Sequence, residues 1–160
     1  MPATPNSKLI LIVEDFEDDA KLLQILLTQC GIANPVRTML SAEDSIRYLA
    51  GGPPYTDRSL FPLPSVVFID LKLPGLSGFD FLKWMKGQPD LKDTFVVVLS
   101  ATGDLMSVQA AYSLGANSFL IKPCRVVDLQ NLIMCYPNFW ERGVPPPLHQ
   151  FPTTELPPTG

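Results

Sequence analysis

Acidic residues crowd the end of the first apolar run in the chain. Residues 9–13 are all Leu, Ile or Val, and Glu14 and Asp15 follow them directly. Two carboxylates about 4 Å apart repel one another by roughly 4 kcal/mol at a near-surface dielectric. We therefore expect a cation beside these two acids, because otherwise their side chains would have to point apart.

Three further residues able to do chemistry stand at the ends of apolar runs. Asp70, Ser100 and Lys122 each close a short stretch rich in Val, Ile, Leu and Phe. Taken singly, each has an ordinary structural explanation: a turn cap, a hydroxyl bonded to nearby backbone, or a solvated charge. Their shared position at the ends of such runs argues against coincidence.

Carboxylates combined with one hydroxyl and one ammonium suit phosphoryl chemistry. Clustered carboxylate oxygens without His or Cys favour a hard divalent cation such as Mg²⁺, here between Glu14, Asp15 and Asp70. An Asp carboxylate can attack phosphorus and form an acyl phosphate. A metal, an ammonium and a hydroxyl stabilise the charge on the transferred group.

Three more acids, Glu17, Asp18 and Asp19, fall at the start of the first predicted helix. A helix dipole favours acidic side chains at that end. We therefore expect these three acids to be structural.

Five apolar runs alternate with amphipathic segments along the chain. Runs this short are typical of strands buried on both faces. The predicted strands are residues 8–13, 35–40, 65–70, 95–100 and 117–122. The predicted helices are residues 17–30, 42–50, 77–87, 105–114 and 125–136. This alternation predicts an α/β fold, a parallel sheet with helices on both faces and a site at the carboxyl ends of the strands.

Local signals place some of the helix ends. Gly31 is expected to end the first helix. Ser77 and Ser107 are expected to cap the third and fourth helices near their starts.

Length and charge restrict the class of protein. The chain has 160 residues, which favours one domain, and its formal net charge is −4. This balance argues against nucleic acid or anionic membrane as a partner. No apolar run reaches the roughly 20 residues of a membrane span. The first residues also lack a signal-peptide pattern, so a cytoplasmic location is expected.

The cysteines and the histidine lack the spacing of a catalytic or metal site. Cys30, Cys124 and Cys135 are each expected to be a plain buried thiol. His149, the only histidine, has no Cys or His at ligand spacing. This argues against Ser-His-Asp, Cys-His and most zinc chemistry.

Two proline-punctuated segments interrupt the alternation. Residues 51–64 form a long connection before the third strand. Residues 137–160 form an aromatic and Pro-rich C-terminal extension, whose last dozen or so residues are expected to be mobile. We assign residues 1–7 to an N-terminal lead and residues 8–136 to the domain.

The pattern resembles the receiver domain of two-component response regulators. The matching stretches are VEDFEDD, FIDLKLPGLSG, VVVLSA and LGANSFLIKP. The connection RYLAGGPPYTDRSLFPLP and the closing NFW resemble one branch, the stand-alone regulators that include those paired with bacterial phytochromes. The resemblance implies a doubly wound, flavodoxin-like receiver fold with strand order 2-1-3-4-5.

The resemblance also implies roles for the acids. Asp70 would be the phosphoacceptor. Asp15 would bind Mg²⁺ or Mn²⁺ directly and Glu14 would bind it through water. Asp70 and the backbone carbonyl of Lys72 would complete the protein ligands.

The remaining implied roles concern the phosphoryl group and the switch. Ser100 would hydrogen-bond the phosphoryl group and Lys122 would pair with it. Phe119 would be the aromatic switch residue that turns inward when Ser100 moves. Lys72 and Thr102 occupy the positions that influence hydrolysis, and a cationic Lys72 is expected to prolong the phosphoform.

The implied function is that of a single-domain response regulator, not an enzyme beyond assisting its own phosphorylation and dephosphorylation. Its partner would be a sensor histidine kinase, and the branch includes regulators whose kinase is a phytochrome. We expect no effector domain after the receiver domain, and therefore expect output through protein contact. Residues 103–140 carry few charges and many apolar side chains, including Trp140, which favours a homodimer through this face. The alternative is a tail that folds back over it.

Three other functions share parts of the pattern. An FMN-binding flavodoxin-like protein would need a loop rich in Ser, Thr and Gly after the first strand, where this chain has five acids. A phosphatase with an Asp nucleophile usually has another acid two residues later, where this chain has Lys72. A receiver-like scaffold without phosphorylation is the third alternative, and the complete residue set argues against it.

Overall fold

The apolar runs form the five strands of one parallel sheet. The computed structural model describes residues 8–143. The strands are β1 (Ile10–Val13), β2 (Val36–Met39), β3 (Val66–Asp70), β4 (Phe95–Ser100) and β5 (Ser118–Ile121). They pair in the order β2-β1-β3-β4-β5, and every pair is parallel. The predicted doubly wound fold and its strand order are confirmed.

Five α-helices connect or follow the strands. They are α1 (Glu17–Gln29), α2 (Ala42–Ala50), α3 (Gly78–Lys86), α4 (Leu105–Ser113) and α5 (Val126–Cys135). Single 3₁₀ turns occur at Pro89–Leu91 and Pro137–Phe139. Each helix lies within a residue or two of its predicted range, since the apolar spacing that marks the helix also decides which face it buries.

The helices cover both faces of the sheet, so the central strands are buried on both sides. Side chains of one strand alternate between the two faces. Leu11 and Val13 therefore join the core beneath α2, α3 and α4, whereas Ile10 and Ile12 join the core beneath α1 and α5. This explains why the strands read as continuous apolar runs.

The helix ends match the sequence signals in two cases and differ in one. Gly31 follows α1 with φ of 79°, and Ser77 caps α3 by accepting from the Asp80 N–H at 3.2 Å. The prediction that Ser107 caps α4 is wrong. Asp104 is the cap, and its Oδ2 accepts from the Ser107 N–H at 3.0 Å, so Ser107 lies in the first turn.

The long connection 51–64 is fixed by one guanidinium group. Arg58 donates to the carbonyls of Tyr48 at 2.8 Å and Leu49 at 2.7 Å, and also to the Phe61 carbonyl at 3.2 Å. The first two carbonyls belong to the last turn of α2, where helical hydrogen bonding is incomplete. The Tyr48 carbonyl also accepts from the Gly51 N–H at 3.1 Å. The connection is thus an ordered loop closed against α2.

Trp140 belongs to the core beneath α1 and α5. Its exposure is 4%, and its ring centroid lies 6.3 Å from that of Phe68 and 6.5 Å from that of Phe95. Phe139 stacks on Phe95 at 4.8 Å. The prediction that Trp140 contributes to an exposed apolar face is therefore wrong, because the ring fills a gap in the core.

Asn34 holds the segment that carries Trp140. Its side-chain amide donates to the carbonyls of Lys8 at 2.7 Å and Phe139 at 3.1 Å, and its carbonyl accepts from the Glu141 N–H at 2.6 Å. Residues 137–143 therefore pack beside the loop after α1. This part of the extension does not fold over α4.

The three cysteines differ in exposure. Cys30 is buried, Cys124 is half-buried and Cys135 is exposed, so the prediction of three buried thiols is right only for Cys30. Cys135 is the last residue of α5 and lies on its outer side. The expectations for residues 1–7, for His149 and for the last dozen residues lie outside the described part of the chain.

The described helices are too short or too polar to cross a membrane. The cytoplasmic location stays a prediction.

Gly78 lets α3 begin directly against the end of β3. Its N–H donates to the Leu71 carbonyl at 3.0 Å. A Cβ at this position would lie 2.5 Å from the Asp70 carbonyl oxygen and 2.7 Å from the Leu71 Cα. Both are backbone atoms, so neither can move aside without disturbing the end of β3.

Replacement of Gly78 by Ala should therefore lower the free energy of unfolding by about 1–3 kcal/mol, the usual cost of overpacking. Urea denaturation measures this. Gly87→Ala is the matched control, because its Cβ would lie 3.6 Å from the nearest atom, the Trp84 carbonyl oxygen. Equal losses in the two variants would contradict the steric argument.

Candidate functional site

The candidate residues meet at the carboxyl edge of the sheet. Glu14 and Asp15 follow β1, Asp70 ends β3, Ser100 ends β4, and Lys122 follows β5. Parallel strands present their carboxyl ends at one edge, where sites of such sheets lie. The structure thus brings together side chains from four strands.

The Lys122 ammonium lies among three carboxylates. Its Nζ donates to Asp70 Oδ2 at 2.6 Å, to Glu14 Oε2 at 2.9 Å and to Asp19 Oδ2 at 2.9 Å. Burial alone would lower the pKa of Lys122, but the hydrogen bonds to the three acids outweigh it and hold that pKa above its ordinary value. An ammonium has three N–H donors, so each has a carboxylate partner.

Glu14 is the most deeply buried acid of the site. Its exposure is 1%, and its Oε1 accepts from the Phe16 N–H at 3.1 Å. Burial raises the pKa of Glu14 to about 7, although the hydrogen bonds from Lys122 and the Phe16 N–H oppose this. Neighbouring Asp70 adds to the rise. Near neutral pH this carboxyl is therefore poised between its charged and neutral forms.

Three acids form a group that fits a metal ion. One oxygen each from Glu14, Asp15 and Asp70 lie within 4.8 Å of one another. Glu14 and Asp70 are buried whereas Asp15 is exposed, so the group is open to solvent on one side. A set of oxygen donors without nitrogen or sulfur suits Mg²⁺ or Mn²⁺.

The loop after β3 begins beside Asp70. The Lys72 N–H donates to Asp70 Oδ1 at 2.9 Å, while the Lys72 side chain is exposed. The backbone that carries the predicted carbonyl ligand thus adjoins the acid group.

The hydroxyl and the aromatic residue of the predicted switch lie on neighbouring strands. Ser100 is 5% exposed, and its Oγ accepts from the Thr102 N–H at 3.2 Å. The Thr102 hydroxyl donates in turn to Asp104 at 3.0 Å. Phe119 lies opposite Val98 in the β4–β5 pair and packs, half-buried, on the core beneath α4.

Asp19 is a site residue that the sequence analysis missed. The expectation that it is only a helix-start acid is wrong, because it binds Lys122. Glu17 and Asp18 lie in the first turn of α1, at the predicted helix start, and both are exposed. Asp15 precedes α1, so helical spacing does not relate it to Asp19, and no signal in the sequence separates Asp19 from its two acidic neighbours.

Glu43 is a second residue that the sequence analysis missed. From the first turn of α2, its Oε1 accepts from the Leu76 N–H at 2.7 Å. Gly75, with φ of 77°, lets the loop pass close to this carboxylate. The bond from Leu76 lowers the pKa of Glu43. Glu43 therefore ties α2 to the loop that follows Asp70.

Comparison with known proteins identifies a family. A family model for the response regulator receiver domain matches residues 10–134. The response regulator Rcp1 of Synechocystis sp. is 31% identical over 133 residues, which cover 83% of this chain and 88% of Rcp1.

Solved structures of similar proteins share the fold. The Mn²⁺-bound form of Rcp1 is 30% identical with a TM-score of 0.67, covering 79% of this chain and 89% of that one. The phosphorylated cyanobacterial phytochrome response regulator RcpA is 27% identical with a TM-score of 0.69, covering 82% of this chain and 92% of RcpA. The bacteriophytochrome response regulator AtBRR is 32% identical with a TM-score of 0.72, covering 86% of this chain and 97% of AtBRR.

The raised pKa of Glu14 predicts how stability depends on pH without metal. The folded protein keeps a proton on Glu14 up to about pH 7, whereas the unfolded chain releases it near the ordinary value of 4.5. The folded state therefore binds more protons in this window, and stability falls as pH rises. The contribution of the Glu14 proton to the free energy of unfolding is complete below pH 4.5, and it is lost as the pH rises through about 7.

Urea unfolding in metal-free buffer between about pH 5 and about pH 8 tests this. In Glu14→Gln, the free energy of unfolding should decrease less as the pH rises. In Glu17→Gln, where the replaced side chain is exposed, the decrease should match that of the wild type. A slope shared by the wild type and Glu14→Gln would contradict the assignment.

Proposed function

The chain belongs to the receiver-domain family of response regulators, and on that premise we propose that Asp70 accepts a phosphoryl group from a sensor histidine kinase. The observation that carries the proposal is the setting of Asp70, which is 5% exposed, bonded to Lys122 at 2.6 Å and grouped with Glu14 and Asp15. Response regulators of this family are signalling proteins. In this proposal Asp70 is the modified residue, and the protein assists its own phosphorylation.

The groups that this chain contributes to the proposed step lie beside Asp70. An oxygen of its carboxylate bonds to phosphorus while the bond from phosphorus to the kinase histidine breaks, and the imidazole leaves with the electron pair. Lys122 can turn from Asp70 to an oxygen of the bound group, since its Nζ lies 2.6 Å away. The Ser100 hydroxyl, at the end of the neighbouring strand β4, can donate to a second oxygen of the phosphoryl group.

We propose that the acid group holds Mg²⁺ or Mn²⁺, with Asp15 and Asp70 as direct ligands, Glu14 acting through water and the Lys72 carbonyl completing the set. A divalent cation neutralises the charge that builds up on a transferred phosphoryl group. The similar protein Rcp1 has been solved with Mn²⁺ bound and RcpA in its phosphorylated form. The first supports the metal assignment, and the second supports phosphorylation of a similar protein.

We propose that the switch consists of Ser100 and Phe119 and that Lys72 and Thr102 influence the lifetime of the phosphoform. Ser100 and Phe119 lie on adjacent strands, where Phe119 pairs with Val98, two residues before Ser100. We propose that the ring turns inward when the hydroxyl shifts toward the phosphoryl group. The exposed Lys72 side chain can reach the group and hinder water. The kinase is proposed to be a phytochrome, since RcpA and AtBRR are phytochrome-linked regulators.

The proposed output surface is an apolar face formed by α4, β5 and α5. Its exposed side chains are Leu105, Met106, Tyr112, Ile121, Val127, Met134 and Tyr136. Its charges are already engaged, because Asp104 caps α4 and Arg125 pairs with Asp128 at 3.0 Å. Depletion of charge beside large apolar side chains is typical of interface cores. We propose a homodimer through this face, which ends before the buried Trp140.

Asp70→Asn should abolish phosphorylation. With acetyl phosphate and Mg²⁺, intact-protein mass spectrometry should show one phosphoryl group on the wild type and none on the variant, because an amide is a far weaker nucleophile. Asp93→Asn is the control, since Asp93 is an exposed acid outside the site. An adduct retained by Asp70→Asn would overturn the proposal.

Phosphorylation should shift the wild type toward a dimer, as light scattering with and without phosphodonor can measure. Met106→Glu and Met134→Glu should each weaken the dimer about tenfold, equivalent to about 1.4 kcal/mol, by placing a charge in the interface. Leu60→Glu is the control, because Leu60 is also a strongly exposed apolar residue but lies in the connection 51–64. A wild type that stays monomeric with phosphodonor would contradict the dimer.

A further inference from the structure

Asp19 and the acid group share one lysine. Lys122 bonds to Glu14, Asp70 and Asp19 at once. Glu14 and Asp70 belong to the acid group, whereas Asp19 does not. The ammonium thus bonds to one oxygen on each of two carboxylates of the acid group.

A divalent cation at the acid group competes with Lys122 for the negative charge of Glu14 and Asp70, and so weakens the two hydrogen bonds that Lys122 makes there. An ammonium that loses its partners in a partly buried place is costly unless another acceptor is at hand. The Lys122 side chain is only 19% exposed, so water replaces the lost partners poorly. Asp19 Oδ2 lies 2.9 Å from Lys122 Nζ, and the Asp19 side chain is 37% exposed. Because Asp19 is outside the acid group, it can still accept from Lys122 when a cation is bound.

We infer that Asp19 is a positioning residue, which strengthens divalent-cation binding by drawing Lys122 away from Glu14 and Asp70. Asp19 is not a ligand in this arrangement and acts through the lysine. The inference rests on the metal role proposed above for the acid group.

A purely electrostatic role for Asp19 predicts a different pattern. Any acid near the site would attract a cation, whether or not it touches Lys122. Asp18 provides the comparison, because it carries the same charge in the same helical turn and its side chain makes no hydrogen bond or ion pair within the described residues 8–143. Asp18→Asn therefore measures the effect of losing one charge.

Titration calorimetry of the full chain with MgCl₂ tests the inference. Asp19→Asn should weaken Mg²⁺ binding about fivefold or more, a coupling ordinary for groups in contact, and Asp18→Asn by less than about twofold. In a Lys122→Met background, Asp19→Asn should weaken binding no more than Asp18→Asn does. Asp19→Glu should recover part of the affinity, which shows that the loss is not a folding defect.

Two results would overturn the inference while leaving the metal site standing. One is an equal effect of Asp19→Asn and Asp18→Asn in the otherwise wild-type chain. The other is an undiminished effect of Asp19→Asn when Lys122 is Met, which would make Asp19 a ligand or a long-range charge. A wild type that binds no Mg²⁺ would overturn the proposed metal site and this inference together.

Discussion

One ammonium group makes the carboxyl edge of the sheet possible. Glu14, Asp19 and Asp70 would repel one another in a partly buried space, and Lys122 bonds to all three. The lysine comes from β5 at the margin of the sheet, so its side chain must pass the end of β4 to reach Asp70 on β3. Only a long side chain with a charge at its tip can do this. The strand order and the chemistry of the site are thus parts of one arrangement.

Most of the fold could be predicted because strand burial and apolar runs reflect the same physical constraint. Residues such as Val67 and Phe68 are fully buried on opposite faces, and so the run has no polar interruption. The meeting of Asp70 and Lys122 followed from the parallel arrangement alone. Asp19 did not follow, because three adjacent acids fit a helix start equally well. Its partner lies 103 residues later, and only the folded chain selects which of the three acids it meets.

The aromatic residues near the C-terminal end show a second limit of sequence reasoning. An exposed interface and a buried core are both rich in aromatic rings and poor in charge. Tyr136 and Trp140 lie four residues apart, yet the first is 39% exposed and the second 4%. The difference depends on Asn34, whose hydrogen bonds fix the direction of the chain after α5. A single buried amide has no signature in composition or periodicity.

The same amide brings the two ends of the domain together. Asn34 bonds to the carbonyls of Lys8, just before β1, and of Phe139, just after α5. Both lie at the amino-terminal edge of the sheet, opposite the carboxylates that follow β1 and β3. A short peptide joining these two points would leave the carboxyl edge of the sheet, with Asp70, undisturbed. The connection 51–64, which Arg58 closes against α2, is a surface loop where new chain termini could be opened. The architecture is therefore suited to circular permutation, with sensors or reporters attached far from the chemistry.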